Sequence, residues 1–215
     1  GDEWVEVRLE NLHDTGVLKY TLDSTNPGVQ SPEYTQPILL ERSAYITAAV
    51  FEGDSSIGRI FKEVVVHDGM SASIALGHEP SPRYAGRGPR TLQDGSLGSL
   101  FFRDDAWLGF EEKDLTATLT WTDAIRLDDL EFTFLEDPRV DIFLPEDLSI
   151  EISENGRDYH SAYEITGIEE GSREGTPRKK HFYIQLDSRP AMSMRIMAKN
   201  RGEWLFMDEI IVNKK

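Results

Sequence analysis

The sequence predicts an all-β protein built from two small sandwiches. Short alternating or β-branched runs are separated by clusters of Gly, Pro, Asn and Asp, a spacing typical of β-sandwiches. No stretch longer than about 10 residues has clean helical periodicity. One turn of helix is expected near Thr91–Asp94, so helix should stay below roughly one residue in ten, against about a third in typical globular proteins.

The hydrophobic pattern places the strands. Residues 5–9 (VEVRL) alternate apolar with polar side chains, as expected when one face of a strand is buried. Residues 59–66 (RIFKEVVV) end in a run of valines, which favours a strand. The remaining predicted strands are 45–51, 115–121, 130–135, 148–153, 181–186, 192–198 and 204–212.

A domain boundary is predicted at His67-Asp68-Gly69, after the valine strand and before a small polar segment. The predicted domains are residues 1–69, the size of an immunoglobulin-like sandwich, and residues 70–215, the size of a jelly-roll sandwich. The segment 169–180 (EEGSREGTPRKK) is charged and lacks an aliphatic or aromatic side chain. It is predicted to be a mobile hairpin loop.

Composition excludes several function classes. The formal net charge is -16, which disfavours nucleic acid and anionic membrane surfaces as partners. No apolar run approaches the roughly 18 residues of a membrane span, so insertion into a membrane is not expected. Cysteine is absent, which excludes disulfides, thiolate metal sites and a thiol nucleophile. Neutral ligands such as sugars remain compatible with this composition.

The first predicted domain carries a recognisable series of turn residues. Residues 20–27 read YTLDSTNP, and 31–34 read SPEY, followed by Pro37. Asp, Asn and Pro supply turns after the strand-forming Tyr-Thr-Leu, and the later prolines keep the flanking segments extended. This order resembles the signature of the small sandwich that follows the catalytic barrel in family 20 glycoside hydrolases, the bacterial β-N-acetylhexosaminidases and chitobiases.

The second predicted domain carries its own ordered series. The motifs are YAGRG (84–88), LQDGSLGS (92–99), WLGF (107–110), IFLP (142–145), ISENGRDY (152–159) and WLFMDEI (204–210). Their order and spacing resemble the discoidin domain (coagulation factor 5/8 type C), a galactose-binding-like jelly-roll sandwich attached to many hexosaminidases. Together the two resemblances cover nearly the whole chain.

These resemblances imply a non-catalytic C-terminal region of a secreted β-N-acetylhexosaminidase. The implied partners are glycans, with N-acetylhexosamine among them, and the catalytic barrel of the parent enzyme. The implied location is the periplasm, the cell surface or the medium. Two roles stay open: a module that targets the enzyme to glycans, or purely structural domains that buttress the barrel or its dimer. A self-sufficient hydrolase is a distant third alternative.

Neighbouring acids do not indicate catalysis. Glycosidases need two carboxylates across a sugar, about 5 to 10 Å apart. Consecutive strand residues point to opposite faces, so neighbouring acids are not expected to converge unless a loop reorients them. The pairs are Asp104-Asp105, Glu111-Glu112, Asp128-Asp129, Glu169-Glu170 and Asp208-Glu209. We therefore expect no catalytic residue in this chain.

Sugar binding is expected at the loop end of the second domain. The loops at 103–107, 137–141 and 200–204 concentrate Arg, Asp, Asn and Trp, which bond hydroxyls and cover the apolar face of a pyranose. The candidate sugar-binding residues are Arg103, Trp107, Arg139, Asn200, Arg201 and Trp204. For Trp107, a place in the core is the alternative.

A calcium site is implied by the discoidin-like resemblance. In that family a tight loop supplies an Asp, backbone carbonyls and a Ser or Thr, and a Glu near the last strand closes the cage. The matching positions are Asp94, Ser99 and Glu209, with carbonyls such as those of Leu92 and Ser96 completing the shell. The alternative is a loop without an ion, in which Asp94 accepts backbone N–H bonds.

Overall fold

The computed structural model describes residues 4–23, 25–40, 44–65, 72–169, 171 and 175–213. Every regular element in these ranges is a β-strand or a short 3-10 helix, which confirms the all-β class. The chain divides into a first unit, residues 1–70 with 214–215, and a second unit, residues 71–213. The predicted boundary at His67–Gly69 lies outside the described residues. No helix in the described ranges is long and apolar enough to cross a membrane.

The first unit is a small two-sheet sandwich. Its strands are β1 (Val5–Val7), β2 (Val17–Thr21), β3 (Ile38–Leu40), β4 (Ala44–Glu52) and β5 (Ser55–Val65). Antiparallel β1 and β3 form one sheet, and β2, β4 and β5 form the other in that order. Ile38 and Leu40 of one sheet pack with Ile46 and Tyr20 of the other, so apolar faces of the two sheets meet in a shared core.

The second unit has longer strands. They are β6 (Ser73–Leu76), β7 (Leu108–Glu111), β8 (Leu115–Glu136), β9 (Leu148–Ser153), β10 (His160–Ile165), β11 (Arg178–Ala198) and β12 (Trp204–Val212). The 3-10 helices are η1 (Pro82–Tyr84), η2 (Gly88–Gln93) and η3 (Pro138–Val140). Helix η2 confirms the helical turn expected near Thr91–Asp94. The predicted hairpin loop at 169–180 is partly outside the described residues, and β11 begins within it at Arg178.

Strands β8 and β11 are long enough that the two halves of each belong to different sections of sheet. The first half of β8, residues 115–120, pairs with β6 and with 193–198 of β11, which pairs in turn with β9. The second half, residues 127–136, pairs with the first half of β11 and with β12, and β12 pairs with β7. Two antiparallel sections joined by continuous strands are the expected frame of a jelly-roll sandwich.

The prediction of separate strands at 115–121 and 130–135, and at 181–186 and 192–198, is wrong. Each pair is one continuous strand of 22 or 21 residues. Polar and turn-forming residues at 187–190 (DSRP) coincide with shifts in the β8–β11 pairing register, between Gln185 and Arg189 and between Ala191 and Ser193. They mark bulges that redirect the strand, a role that local pattern does not separate from a chain-reversing turn.

Candidate functional site

A small pocket lies in the second unit where four segments meet. These are helix η1, the loop before β7, helix η3 with the residues after it, and the start of β12. Each of the three loops predicted to bind sugar contributes a lining residue. The pocket has a volume of about 190 Å³ and is lined by Arg83, Tyr84, Phe102, Arg103, Val140, Ile142, Trp204 and Phe206. We call it the aromatic pocket.

Backbone hydrogen bonds hold its walls. The N–H of Trp204 donates to the carbonyl of Asp141 at 3.0 Å, and the N–H of Phe143 donates to the carbonyl of Trp204 at 3.0 Å. Helix η1 is tied to β7 because the N–H of Ser81 donates to the carbonyl of Gly109 at 2.8 Å. The loops are therefore attached to the sheet rather than free at its end.

Aromatic rings pack edge to face around the pocket. The ring centroids of Tyr84 and Trp204 are 5.1 Å apart with planes at 84°, and those of Tyr84 and Phe102 are 5.6 Å apart. Phe206 is fully buried, whereas Trp204 is only half-buried. A Cβ at Gly109 would lie 2.7 Å from the Phe206 ring and 2.8 Å from Tyr84, so only glycine permits this packing. The result is a preorganised ring surface that is still partly open.

Two guanidinium groups stand beside the rings. The Arg83 Cζ lies 5.4 Å from the centroid of the Tyr84 ring, and the Arg103 Cζ lies 5.0 Å from that of Phe102. Both side chains are exposed. The pocket thus places aromatic rings next to N–H donors.

Trp107 is a correction to the predicted sugar contacts. Its side chain is 1% exposed and packs in a core cluster with Leu135, Ile142 and Phe206. Its indole Nε1–H donates to the carbonyl of Ser99 at 3.1 Å. A ring that is buried and hydrogen-bonded in this way cannot offer a face to a ligand.

Asn200 is a second correction, because its side chain is fully used by the protein. Its Nδ2 donates to the carbonyls of Phe110, Lys113 and Glu203 at 3.2, 3.0 and 2.9 Å. Its Oδ1 accepts the N–H groups of Gly202 and Glu203 at 3.0 and 3.1 Å. Asn200 therefore organises the turn that precedes β12.

Arg201 and Arg139 are also engaged elsewhere. Arg201 donates to the carbonyl of Leu144 at 3.1 Å and to that of Ile168. Arg139 binds both carboxylate oxygens of Asp137 at 2.8 and 3.0 Å, and this hydrogen-bonded pair holds the pKa of Asp137 below its usual value. Of the six predicted sugar contacts, only Arg103 and Trp204 line the pocket.

Several lining residues were not predicted from the sequence, including Arg83, Tyr84 and Phe102. Tyr84 opens the YAGRG motif that carries the discoidin-like resemblance, so a signal for it was present. Phe102 directly precedes Arg103, but nothing in its local pattern separates a pocket aromatic from a core aromatic.

A second polar cluster lies between the loop after η2 and strand β12, and we call Asp94, Asp208 and Glu209 the carboxylate cluster. Glu209 Oε2 accepts the N–H groups of Asp94 and Gly95, each at 3.1 Å. Asp208 Oδ2 accepts the N–H of Gly98 at 3.1 Å. Two acids of one strand thus bind the same loop.

The expectation that neighbouring acids diverge does not hold for Asp208 and Glu209. The pairing register of β12 with β8 shifts between Met207 and Ile210, so the two acids sit at an irregularity of the strand. Such an irregularity lets consecutive side chains leave strict alternation.

Burial dominates the electrostatics of this cluster. It raises the pKa of Asp208 to about 8, against the opposing charge of Lys179. It raises the pKa of Glu209 to about 9, with the negative charge of Asp94 adding to the effect. Asp208 Oδ1 and Glu209 Oε1 are buried without a hydrogen-bond partner in the described part of the chain. A buried acid with an unsatisfied oxygen is costly unless it is protonated or meets a cation.

The predicted calcium ligands are only partly brought together. Asp94 contacts Glu209 through its backbone N–H, which donates to the Glu209 carboxylate. The Asp94 Oδ1 accepts the N–H of Ser96 at 2.9 Å, as expected for a loop without an ion. Leu92 is fully buried in helix η2.

Ser99 is engaged in its own turn, and its place as a calcium ligand stays a prediction. Its N–H donates to Asp104 Oδ2 at 2.6 Å, and its hydroxyl accepts the N–H of Phe101 at 3.0 Å, so it serves its own turn. Within the described ranges, no group of three or more His, Asp or Glu side chains has an arrangement that could hold a metal. The orphaned oxygen of Glu209 is the feature that fits a cation.

Comparisons with known proteins give one family match and several similar solved structures. The family model described as "Fn3 associated" matches residues 7–65. A search of curated proteins found no significant match. Among solved structures, chitosan-binding module 1 from a Paenibacillus sp. IK-5 chitosanase/glucanase is similar at 11% identity and TM-score 0.45, covering 67% of this chain and 96% of that one.

Two further solved structures are similar to about two thirds of the chain. GH31 CBM32-2 bound to GalNAc has 13% identity and TM-score 0.49, and covers 67% of this chain and 99% of its own. A Streptococcus pneumoniae fucose binding module has 9% identity and TM-score 0.49, and covers 68% of this chain and 94% of its own.

Proposed function

We propose that the second unit is a carbohydrate-binding module whose site is the aromatic pocket. The observation that carries this proposal is the half-buried Trp204 ring set among Tyr84 and Phe102, with the Arg83 and Arg103 guanidiniums at the edge. An aromatic ring can stack on the apolar face of a pyranose, while charged N–H donors bond the hydroxyls of the sugar.

The size of the pocket supports a small ligand. Its volume of about 190 Å³ is below the range of roughly 300–1,000 Å³ of pockets for drug-sized molecules. One sugar ring of a longer glycan fits such a site better than an enclosed cofactor does. We expect dissociation constants on the order of millimolar to high micromolar, because an open site buries little of a small ligand.

Replacing Trp204 by alanine tests the proposal. We expect the affinity of the variant for glycans to fall by at least about tenfold, since stacking of the sugar on the Trp204 ring is the main apolar contact of the site. Binding is measured by chemical-shift titration with a sugar panel, and melting temperature is measured on the same samples. Trp4→Ala in the first unit, where the ring is 48% exposed, is the matched control.

The outcomes of that test separate the two roles left open by the sequence. Loss of binding with an unchanged fold supports the module. If the wild-type protein binds no sugar in a broad glycan panel, purely structural domains that buttress a larger enzyme are favoured.

The parent enzyme is a finer proposal. The YTLDSTNP series resembles the sandwich of β-N-acetylhexosaminidases, so we propose that this chain serves such a glycoside hydrolase outside the cytoplasm, and that N-acetylhexosamine is among its glycans. Under this proposal the chain itself carries no catalytic residue. The coding sequence upstream of this chain tests it, because a catalytic barrel should be encoded there.

We also propose that calcium binds at the carboxylate cluster. Asp94 and Glu209 would hold it, with carbonyls such as those of Leu92 and Ser96, and a bound cation would neutralise the buried charge. Calcium is expected to raise the melting temperature by several degrees at about a hundredfold excess over its Kd, since a ligand of the native state stabilises it by mass action.

Thermal unfolding with calcium, magnesium and chelator measures this effect. Glu209→Gln should abolish the calcium response, whereas Glu203→Gln, at an exposed position before β12, should keep it. An equal response in both variants would show that calcium acts elsewhere.

A further inference from the structure

We propose that the aromatic pocket takes an anionic pyranose, a sugar ring that carries a carboxylate or a sulfate. The inference rests on the proposed sugar-binding function and adds the charge of the bound ring. It starts from a contrast: the chain has a formal net charge of -16, yet the charged residues that line this pocket are Arg83 and Arg103, and no acid is among its lining residues.

Neither guanidinium is held in an ion pair by the acid that follows Arg103 in the chain. Asp104 follows Arg103 in the chain, but its carboxylate accepts the N–H groups of Ser99 and Ala106 at 2.6 and 3.2 Å. Within the described ranges, neither Arg83 nor Arg103 forms an ion pair with an acid.

A second acid near the pocket, Asp137, is also engaged. Asp137, one residue before η3, is bound by both donors of Arg139. This pair cancels its own charge beside Val140, which leaves Arg83 and Arg103 as the charged side chains that line the pocket. Two like charges left together at one concave site attract an anion.

The donors of the two guanidiniums are largely free. Arg83 Nη2 lies 3.5 Å from the Tyr84 hydroxyl, a long contact, and no hydrogen bond of the Arg103 side chain is seen in the described part of the structure. A guanidinium carries five N–H donors in a planar fork that matches a carboxylate or sulfate, and stacking on a ring orients that fork. A neutral hydroxyl would use only a fraction of this capacity.

Matched sugars test the inference. Galacturonate and galactose differ only at C6, as do glucuronate and glucose, and galactose 6-sulfate places a sulfate at the same carbon. We expect each acid to bind about tenfold more tightly than its neutral partner, a preference that two partly exposed ion pairs can supply. Raising the salt concentration should remove most of that preference, since the pairs are exposed, and should leave neutral sugars unaffected.

Variants assign the effect to the pocket. Arg83→Gln and Arg103→Gln should each reduce the ratio of acid affinity to neutral-sugar affinity by about threefold, because each removes one positive charge from the pocket. Arg157→Gln, on an exposed loop between β9 and β10, is the matched control and should keep the preference. Melting temperatures confirm that each variant is folded.

The outcomes distinguish the anionic inference from the sugar-binding function on which it rests. Equal or weaker binding of both uronates and of galactose 6-sulfate relative to galactose and glucose would overturn the anionic inference and leave the sugar-binding function standing. Absence of binding to every sugar would overturn the proposed function and the inference with it. Binding of galactose 6-sulfate without galacturonate would support an anionic ligand and assign the charge to sulfate.

Discussion

Replacing Trp107 by alanine is expected to lower the free energy of unfolding by about 3–5 kcal/mol. The side chain is 1% exposed, and its ring lies against Gly98, where an added Cβ would come within 2.1 Å of the indole. Truncation leaves a cavity beside Phe206 and removes the indole donor to the carbonyl of Ser99. Chemical denaturation followed by a far-ultraviolet signal measures the loss.

Phe101→Ala is the matched control for this prediction. Phe101 belongs to the same loop but is 59% exposed, so its truncation should change the unfolding free energy by less than about 1 kcal/mol. If Trp107→Ala proved as mild as Phe101→Ala, the indole would not be a core side chain, and its place among the sugar contacts would be restored.

In calcium-free buffer, the stability of the second unit is expected to fall as the pH rises from about 4 to about 8. Burial raises the pKa of Asp208 from 3.8 to about 8 and that of Glu209 from 4.5 to about 9. In this window the unfolded chain has lost protons that the folded chain retains, so ionisation favours unfolding. Both groups contribute to the loss, which ends once the folded protein is also deprotonated.

Glu209→Gln should remove the contribution of Glu209 to the decrease of stability with pH. At pH 7 and without calcium, the variant is expected to be more stable than the wild type by about 3 kcal/mol, because glutamine has no proton to lose on unfolding. Denaturation at several pH values measures the slope, with Glu203→Gln as an exposed control. A destabilised Glu209→Gln protein at pH 7 under these conditions would show that Glu209 is ionised in the folded state.

Parts of the candidate site could be predicted from the sequence. Strand patterns placed β12 and the end of β8, so the loops that hold Arg103 and Trp204 were expected at one end of the second unit. Residue type alone made Asn200 and Arg201 candidates, and it left Trp107 open between the core and the sugar site. Their exclusion depends on which groups fill their hydrogen-bonding capacity or cover their rings, and those groups are distant in the chain.

The carboxylate cluster also could be predicted only in part from the sequence. Asp94 and Glu209 were expected to meet on family grounds, and they do meet through two backbone N–H donors. The participation of Asp208 was not expected, because strict alternation sends neighbouring strand residues to opposite faces. The shift in β12 register overrides that rule.

The sequence by itself determined the all-β class, most strand positions and the helical turn near Thr91, because these depend on local periodicity and turn chemistry. Only the tertiary structure decided that β8 and β11 run on through their polar bends, that Trp107 is core, and that Arg83 and Arg103 share one aromatic pocket. The physical reason is that burial, pairing register and convergence depend on contacts between residues far apart in the chain, whereas local pattern reports only what neighbouring residues prefer.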